Sequence, residues 1–211
     1  MNQAFVFDRT KNIVITLKHP DGDKKVEVRY PTDDELIRRQ LKRKIFIKQQ
    51  GRGASDTDIP DYSDDDLAIF NKLREGECKD VDVDGYEATL VIERICRAEV
   101  LADGVEESSG SYLVKLQIPG GEATHTIKVP SARQLFKYRR AFSSVRDLPR
   151  GRQEMTIHME AAGELYDAMM SKTTAYPQAE GAVPINHKVV VVKTVIDEVE
   201  GAVSANDDLN F

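Results

Sequence analysis

Cysteine is scarce in this chain: Cys78 and Cys96 are the only two in 211 residues. There is no Cys-x-x-Cys pair, and no paired histidines stand near either one. That excludes a disulfide-stapled scaffold and a structural zinc site. Long apolar runs are also missing. None exceeds the four residues Val189 to Val192, whereas a bilayer-spanning helix needs about 20. The opening MNQAFVFDRT lacks a basic segment followed by an apolar one, which argues against a secretory signal.

Catalytic signatures are absent too. No P-loop, dinucleotide fingerprint or Ser–His–Asp arrangement is legible, and His19, His125, His158 and His187 are scattered. Gly120-Gly121 is accounted for by a turn. Glu160 and Glu164 share a helix face in the manner of ordinary exposed pairs. The reading is therefore not an enzyme, with no cofactor. An excess of acid, net charge −6, gives no overall attraction to nucleic acid or to an anionic membrane. Nucleic acid and membrane are accordingly not expected as partners, and the expected setting is the cytoplasm.

What the chain does have is self-similarity. Residues 14–40 lie on residues 113–139 without a gap at a constant shift of 99. Leu17 falls on Leu116, Pro20 on Pro119, Gly22 on Gly121, Pro31 on Pro130 and Leu36 on Leu135. Such a match points to two related modules. Recurrence of a common hairpin-and-helix arrangement is the competing explanation.

Each copy opens with alternating residues. Ile13, Ile15 and Leu17 share one strand face, the turn His19-Pro20-Asp21-Gly22-Asp23 follows, and Val26, Val28 and Tyr30 return. The second copy has a strand over 112–118, the turn Pro119-Gly120-Gly121-Glu122, and a return over 124–129. Alternation on either side of a Gly-containing turn predicts a hairpin. Proline then precedes Thr32-Asp-Asp-Glu35 in one copy and Ser131-Ala-Arg-Gln134 in the other. In both, the hydroxyl can take an orphan helix amide while the Glu or Gln reaches back. Helices are predicted over about 33–49 and 132–145, and later ones beginning near Asp66 and Glu164.

Residues 86–100 read as a helix. The matching segment, 186–200, contains four consecutive valines; the repeat favours helix there and local propensity favours strand. Residues 51–66, polar and acidic with glycine and proline, read as a long loop. The expected fold class is α+β, two related modules each packing a β-hairpin with two or three helices. Their expected extents are 1–105 and 106–200, with a flexible tail over 201–211.

Charge is the most informative surface signal. The first helix carries Arg38, Arg39, Lys42, Arg43, Lys44 and Lys48 with no acid after Glu35; the second copy has Lys137, Arg139 and Arg140. The segment that follows the first helix contains Asp56, Asp58, Asp61, Asp64, Asp65 and Asp66 and no base after Arg52. A basic helix beside an acidic loop predicts pairing, within the chain or between neighbours, and makes both candidate partner-binding surfaces. Residues 38–48 could alternatively neutralise phosphates, the nucleic-acid alternative. Asp80-Val-Asp82-Val-Asp84-Gly85 begins like a calcium loop, but Val91 stands where the closing bidentate glutamate belongs. It is a weak metal candidate, and a polar turn is the simpler reading. Tyr166, Met169 and Met170 form an apolar group expected in the core.

The segment Val28-Arg29-Tyr30-Pro31-Thr32-x-x-Glu35-Leu36, after a strand and a short Asp-Gly turn, resembles the opening of small tail assembly chaperones and related structural proteins of long-tailed bacteriophages. About thirty residues per copy carry the resemblance, and this chain is longer and doubled. The resemblance implies a helix-rich, non-enzymatic protein that binds tail components during assembly. It further implies self-association, a phage or prophage origin, and location in the host cytoplasm or a virion.

Overall fold

The computed structural model describes residues 5–20, 22–50, 54–75, 80–177, 179 and 181–207. In chain order the elements are β1 (Ile13–Leu17), β2 (Lys24–Val28), α1 (Asp33–Lys42), β3 (Ile45–Gln50), β4 (Ala54–Asp58), α2 (Ser63–Leu73) and α3 (Gly85–Ile95). Then come β5 (Glu99–Ser108), β6 (Ser111–Ile118), β7 (Gly121–Lys128), α4 (Ala132–Phe142), β8 (Ser143–Leu148) and β9 (Arg152–Ile157). The chain continues with α5 (Met159–Met169), β10 (Met170–Thr173) and α6 (Ile185–Asp207). The fold is α+β.

Contacts divide the chain into two compact units, and the division is not a single cut between residues 105 and 106. One unit comprises residues 8–97 and 143–157; the other comprises 1–7, 98–142 and 158–211.

In the unit built on residues 8–97, β1 and β2 form the expected antiparallel hairpin, with Ile13 opposite Val28 and Ile15 opposite Val26. Period-two alternation puts Ile15, Leu17, Val26 and Val28 on one face. They pack with Phe70 and Leu73 of α2 and with Ala88, Val91, Ile92 and Ile95 of α3 in a continuous core. Helix α1 starts where Thr32 and Glu35 predict. The Thr32 hydroxyl accepts from the Glu35 N–H, and the Glu35 carboxylate accepts from the Thr32 N–H at 2.9 Å. Arg29 adds a two-pronged ion pair to Glu35, at 2.8 and 2.7 Å. Its hydrogen bonds are the main reason the Glu35 carboxyl is held down at about 2.

This unit also contains a four-stranded sheet in the order β4-β3-β9-β8, antiparallel throughout. It corrects two helix expectations. The helix predicted over 33–49 ends at Lys42, and 45–50 is a strand. The helix predicted over 132–145 ends at Phe142, and 143–148 is a strand. The physical reason is long-range pairing: Ile45 lies opposite Met155 and Ile47 opposite Gln153. The side-chain hydroxyl of Tyr62 fixes the break, accepting from the Lys44 N–H at 2.7 Å and donating to the Lys44 C=O at 3.0 Å. The loop expected over 51–66 is likewise corrected: its described part holds β4 and the first turn of α2.

In the other unit the sheet order is β10-β7-β6-β5. Tyr112, Val114, Leu116 and Ile118 of β6 and Ala123, His125 and Ile127 of β7 alternate inward and are buried. Helices α5 and α6 belong to the same core, through Leu165, Tyr166, Met169, Val191, Val192 and Val195. Residues 186–200, open between strand and helix in the sequence, are helical. Buried Val191, Val192, Val195 and Ile196 recur at helical spacing, so packing overrides the β preference of valine. The tail expected to be flexible is helical over 201–207, and 208–211 lie outside the described residues. Helix α4 repeats the cap of α1, with Gln134 accepting from the Ser131 N–H at 2.9 Å. The helix predicted over 86–100 ends at Ile95, and Glu99 already belongs to β5.

Candidate functional site

The basic helix and the acidic residues after it meet one another. Asp66, in the first turn of α2, is fully buried. Arg39 grips it through two hydrogen bonds of 2.8 Å, and Arg43 adds a third at 2.5 Å. Burial pushes the Asp66 carboxyl up, but the hydrogen bond and charge of Arg39 and the charge of Arg43 outweigh it and hold the group below its ordinary value. Lys42 pairs with the more exposed Asp65 at 2.5 Å. These contacts clamp α1 onto α2. Arg38 is exposed and makes no ion pair among the described residues. Lys44 donates to Thr156 of β9 at 2.9 Å.

The remaining acids are dispersed. Asp56 and Asp58 fall on β4, Asp61 accepts from the Ser63 N–H, and Asp64 is exposed at the start of α2. In the other unit, Lys137 pairs with Glu164 at 2.8 Å and Arg139 with Glu200 at 2.5 Å, while the Arg140 guanidinium lies 5.7 Å from the Phe136 ring. Each of these residues is engaged inside its own unit.

The aspartates of the calcium-like turn are exposed, and among the described residues no group of three or more His, Cys, Asp or Glu could hold a metal ion. Asp84 has another task. Its carboxylate accepts from the Glu87 N–H at 2.8 Å and caps α3, while Lys24 holds Glu87 at 2.9 Å. Millimolar calcium is expected to leave the melting temperature unchanged, whereas Asp84→Ala is expected to cost about 1 kcal/mol through loss of the cap. Thermal unfolding of both proteins with and without calcium checks this; a calcium-dependent rise would overturn it.

Two features were not picked out from the sequence. The first is the β4-β3-β9-β8 sheet. Directly opposed residues share a face, so Ile45, Met155 and Val145 lie in one row, and Ile47 joins them on that face. None of the four is fully buried, and Val145 is 55% exposed. On the opposite face, Phe46, Lys48, Asp58 and Arg152 line a notch of about 570 Å³ together with Arg150 and Thr57. The Arg152 guanidinium lies 5.2 Å from the Phe46 ring. Alternation at Ile45 and Ile47 was the available signal, but the helical spacing of Leu41 and Ile45 masked it.

The second is a buried polar chain in the other unit. His125 Nδ1 stands 2.8 Å from the Tyr166 hydroxyl, and His125 Nε2 is 3.3 Å from that of Tyr176. The Tyr176 hydroxyl is also 3.0 Å from His187 Nδ1. Each hydroxyl can donate one proton and accept others, so the three contacts can all be satisfied with neutral imidazoles. Burial pulls His125 down to about 4 and raises both phenols. With the Phe7 ring 5.3 Å from His187, the group reads as a satisfied core network.

No family model, curated protein or solved structure matches this chain.

Proposed function

We propose that this protein is a non-enzymatic assembly or structural protein that acts through protein–protein contacts. The observation that carries this reading is the hairpin-built sheet, whose one face presents Ile45, Ile47, Met155 and the exposed Val145. An apolar row that is not sealed is the kind of surface another protein covers. The resemblance of residues 28–36 to phage tail assembly proteins supplies the class of partner: components of a phage or prophage tail. The parallel succession hairpin, capped helix, hairpin, helix from β1 to α2 and from β6 to α5 supports reading the chain as two diverged copies. The nucleic-acid alternative on residues 38–48 is weakened because Arg39, Lys42 and Arg43 are already held by Asp65 and Asp66.

Light scattering on the purified chain and co-purification with tail components from the native lysate test this. The expected result is a mass above the 23.7 kDa of one chain, or a stoichiometric complex. Val145→Lys is expected to weaken the association by on the order of tenfold, with unchanged melting temperature, because it places a charge in the contact. A strict monomer with no partner would overturn the reading.

A further inference from the structure

We propose that copies of this chain join edge to edge, with β8 of one copy pairing antiparallel with β4 of the next. The sheet would then continue from molecule to molecule. The proposal rests on the assembly reading above and names a second copy of the chain as the partner.

The argument lies in which strands meet inside one chain. Hairpins β3–β4 and β8–β9 occupy the same place in the order of elements, each after a capped helix and before another helix. Strand β3 therefore corresponds to β8, and β4 to β9. Were the hairpins joined by corresponding strands, the join would be two-fold and self-complementary. Instead the first strand of one, β3, pairs with the second strand of the other, β9. This is a head-to-tail join. Joins of that kind do not use themselves up: they close into rings or grow as fibres.

What the join leaves over is one first strand, β8, and one second strand, β4. They form the two outer edges of the sheet, and no further strand pairs with either among the described residues. The internal join is thus a template for an external one. Carrying the register of β3 and β9 across to the corresponding strands sets Ser143 opposite Thr57, Val145 opposite Ser55 and Arg146 opposite Ala54. No pair in that register brings like charges together, although the internal join tolerates Lys48 opposite Arg152. Val145, Arg146 and Asp147 on one edge and Thr57 and Asp58 on the other are exposed in the single chain. An open strand edge is a ready pairing template.

The test is a cross-link. Thr57→Cys and Ser143→Cys are introduced together in a Cys78→Ser background, with each single substitution as a control. Within one chain these positions lie on opposite outer strands, at least about 14 Å apart at 4.7–4.9 Å per strand, and are offset along the strands as well. A disulfide needs Cα atoms within about 7 Å, so any bond between them joins two molecules. Mild oxidation is expected to give a ladder of two, three and more chains from the double variant. A mixture of the two single variants is expected to stop at two.

Absence of the cross-link from a protein that light scattering shows to be oligomeric would overturn the edge join and leave the assembly reading standing. Absence of the cross-link from a strict monomer that still captures a tail component would do the same. A monomer with no partner would remove both.

Discussion

Asp66→Ala is expected to destabilise the unit that contains it by about 3–5 kcal/mol, more than any exposed charge substitution in the chain. The loss has two parts. The substitution removes three charge-assisted hydrogen bonds from Arg39 and Arg43. It also leaves two guanidiniums, with side chains only 15% and 27% exposed, facing an empty space without a counter-charge. The second part is the larger, because an unpaired charge out of water is costly in itself. Asp65→Ala is the internal comparison: its pair with Lys42 is exposed and worth about 0–1 kcal/mol. Urea unfolding of the two variants separates the cases. Equal, small losses would show that the clamp between α1 and α2 contributes nothing particular.

Lowering the pH from 7 to 5 is expected to remove about 2 kcal/mol of stability through His125 alone. Its imidazole is held at about 4 by burial, against an ordinary value of 6.5. The unfolded chain therefore binds the proton first. The stabilisation is complete above pH 6.5, falls as the pH drops towards 4, and changes no further below that. Each unit of separation is worth about 1.4 kcal/mol, so the full loss is about 3.5 kcal/mol. The carboxylate of Glu35, held at about 2, contributes only at lower pH, as the medium falls through 4.5 and below. The window from 6.5 to 4.5 thus reports mainly on the imidazole. Denaturant unfolding at pH 7.5, 6, 5 and 4.5 reads the slope, and His125→Gln, which keeps one donor and one acceptor, should flatten it. A variant with the same slope as the parent would assign the acid sensitivity elsewhere.

The parts of this fold that were legible in sequence are those set by neighbours in the chain. Alternation of Ile13, Ile15 and Leu17 with Val26 and Val28 gave the first hairpin. Thr32 with Glu35, and Ser131 with Gln134, gave the starts of two helices, because a cap is made within four residues. The ends of those helices were not legible. Arg38 to Lys44 continues in good helix formers, and Ile45 keeps the helical spacing of Leu41. What stops the helix is the hydroxyl of Tyr62 and a strand over a hundred residues away, neither visible in a local window. Strand β4, with the sequence ASDTD, has weak β propensity and exists because β3 lies beside it.

The charged site was half legible. Opposite charge close in sequence predicted pairing, and pairing is what Arg39, Arg43 and Asp66 do. That Asp66 would be fully buried followed only from the packing of α2, where it shares a helix side with Phe70 and Leu73. The polar chain through His125 and His187 was hidden for the same reason: its members are 62 residues apart at the extremes, and only the fold brings them together.

The joining of β3 to β9 bears on how the polypeptide comes into being. Lys44 reaches Thr156 across 112 residues, so the unit that begins at residue 8 lacks two strands of its sheet until the segment through Ile157 has left the ribosome. The other unit waits in the same way: the Phe7 N–H finds its acceptor, the Ala175 carbonyl, only after another 168 residues have been added. Neither unit is continuous in sequence, so neither is finished when its first segment emerges, and what matures early is the hairpin β1–β2 with its helices. Closure over such separations is slow relative to local folding. Until β9 arrives, β3 has one open side, and during that interval a nascent chain is most exposed to pairing with the wrong strand.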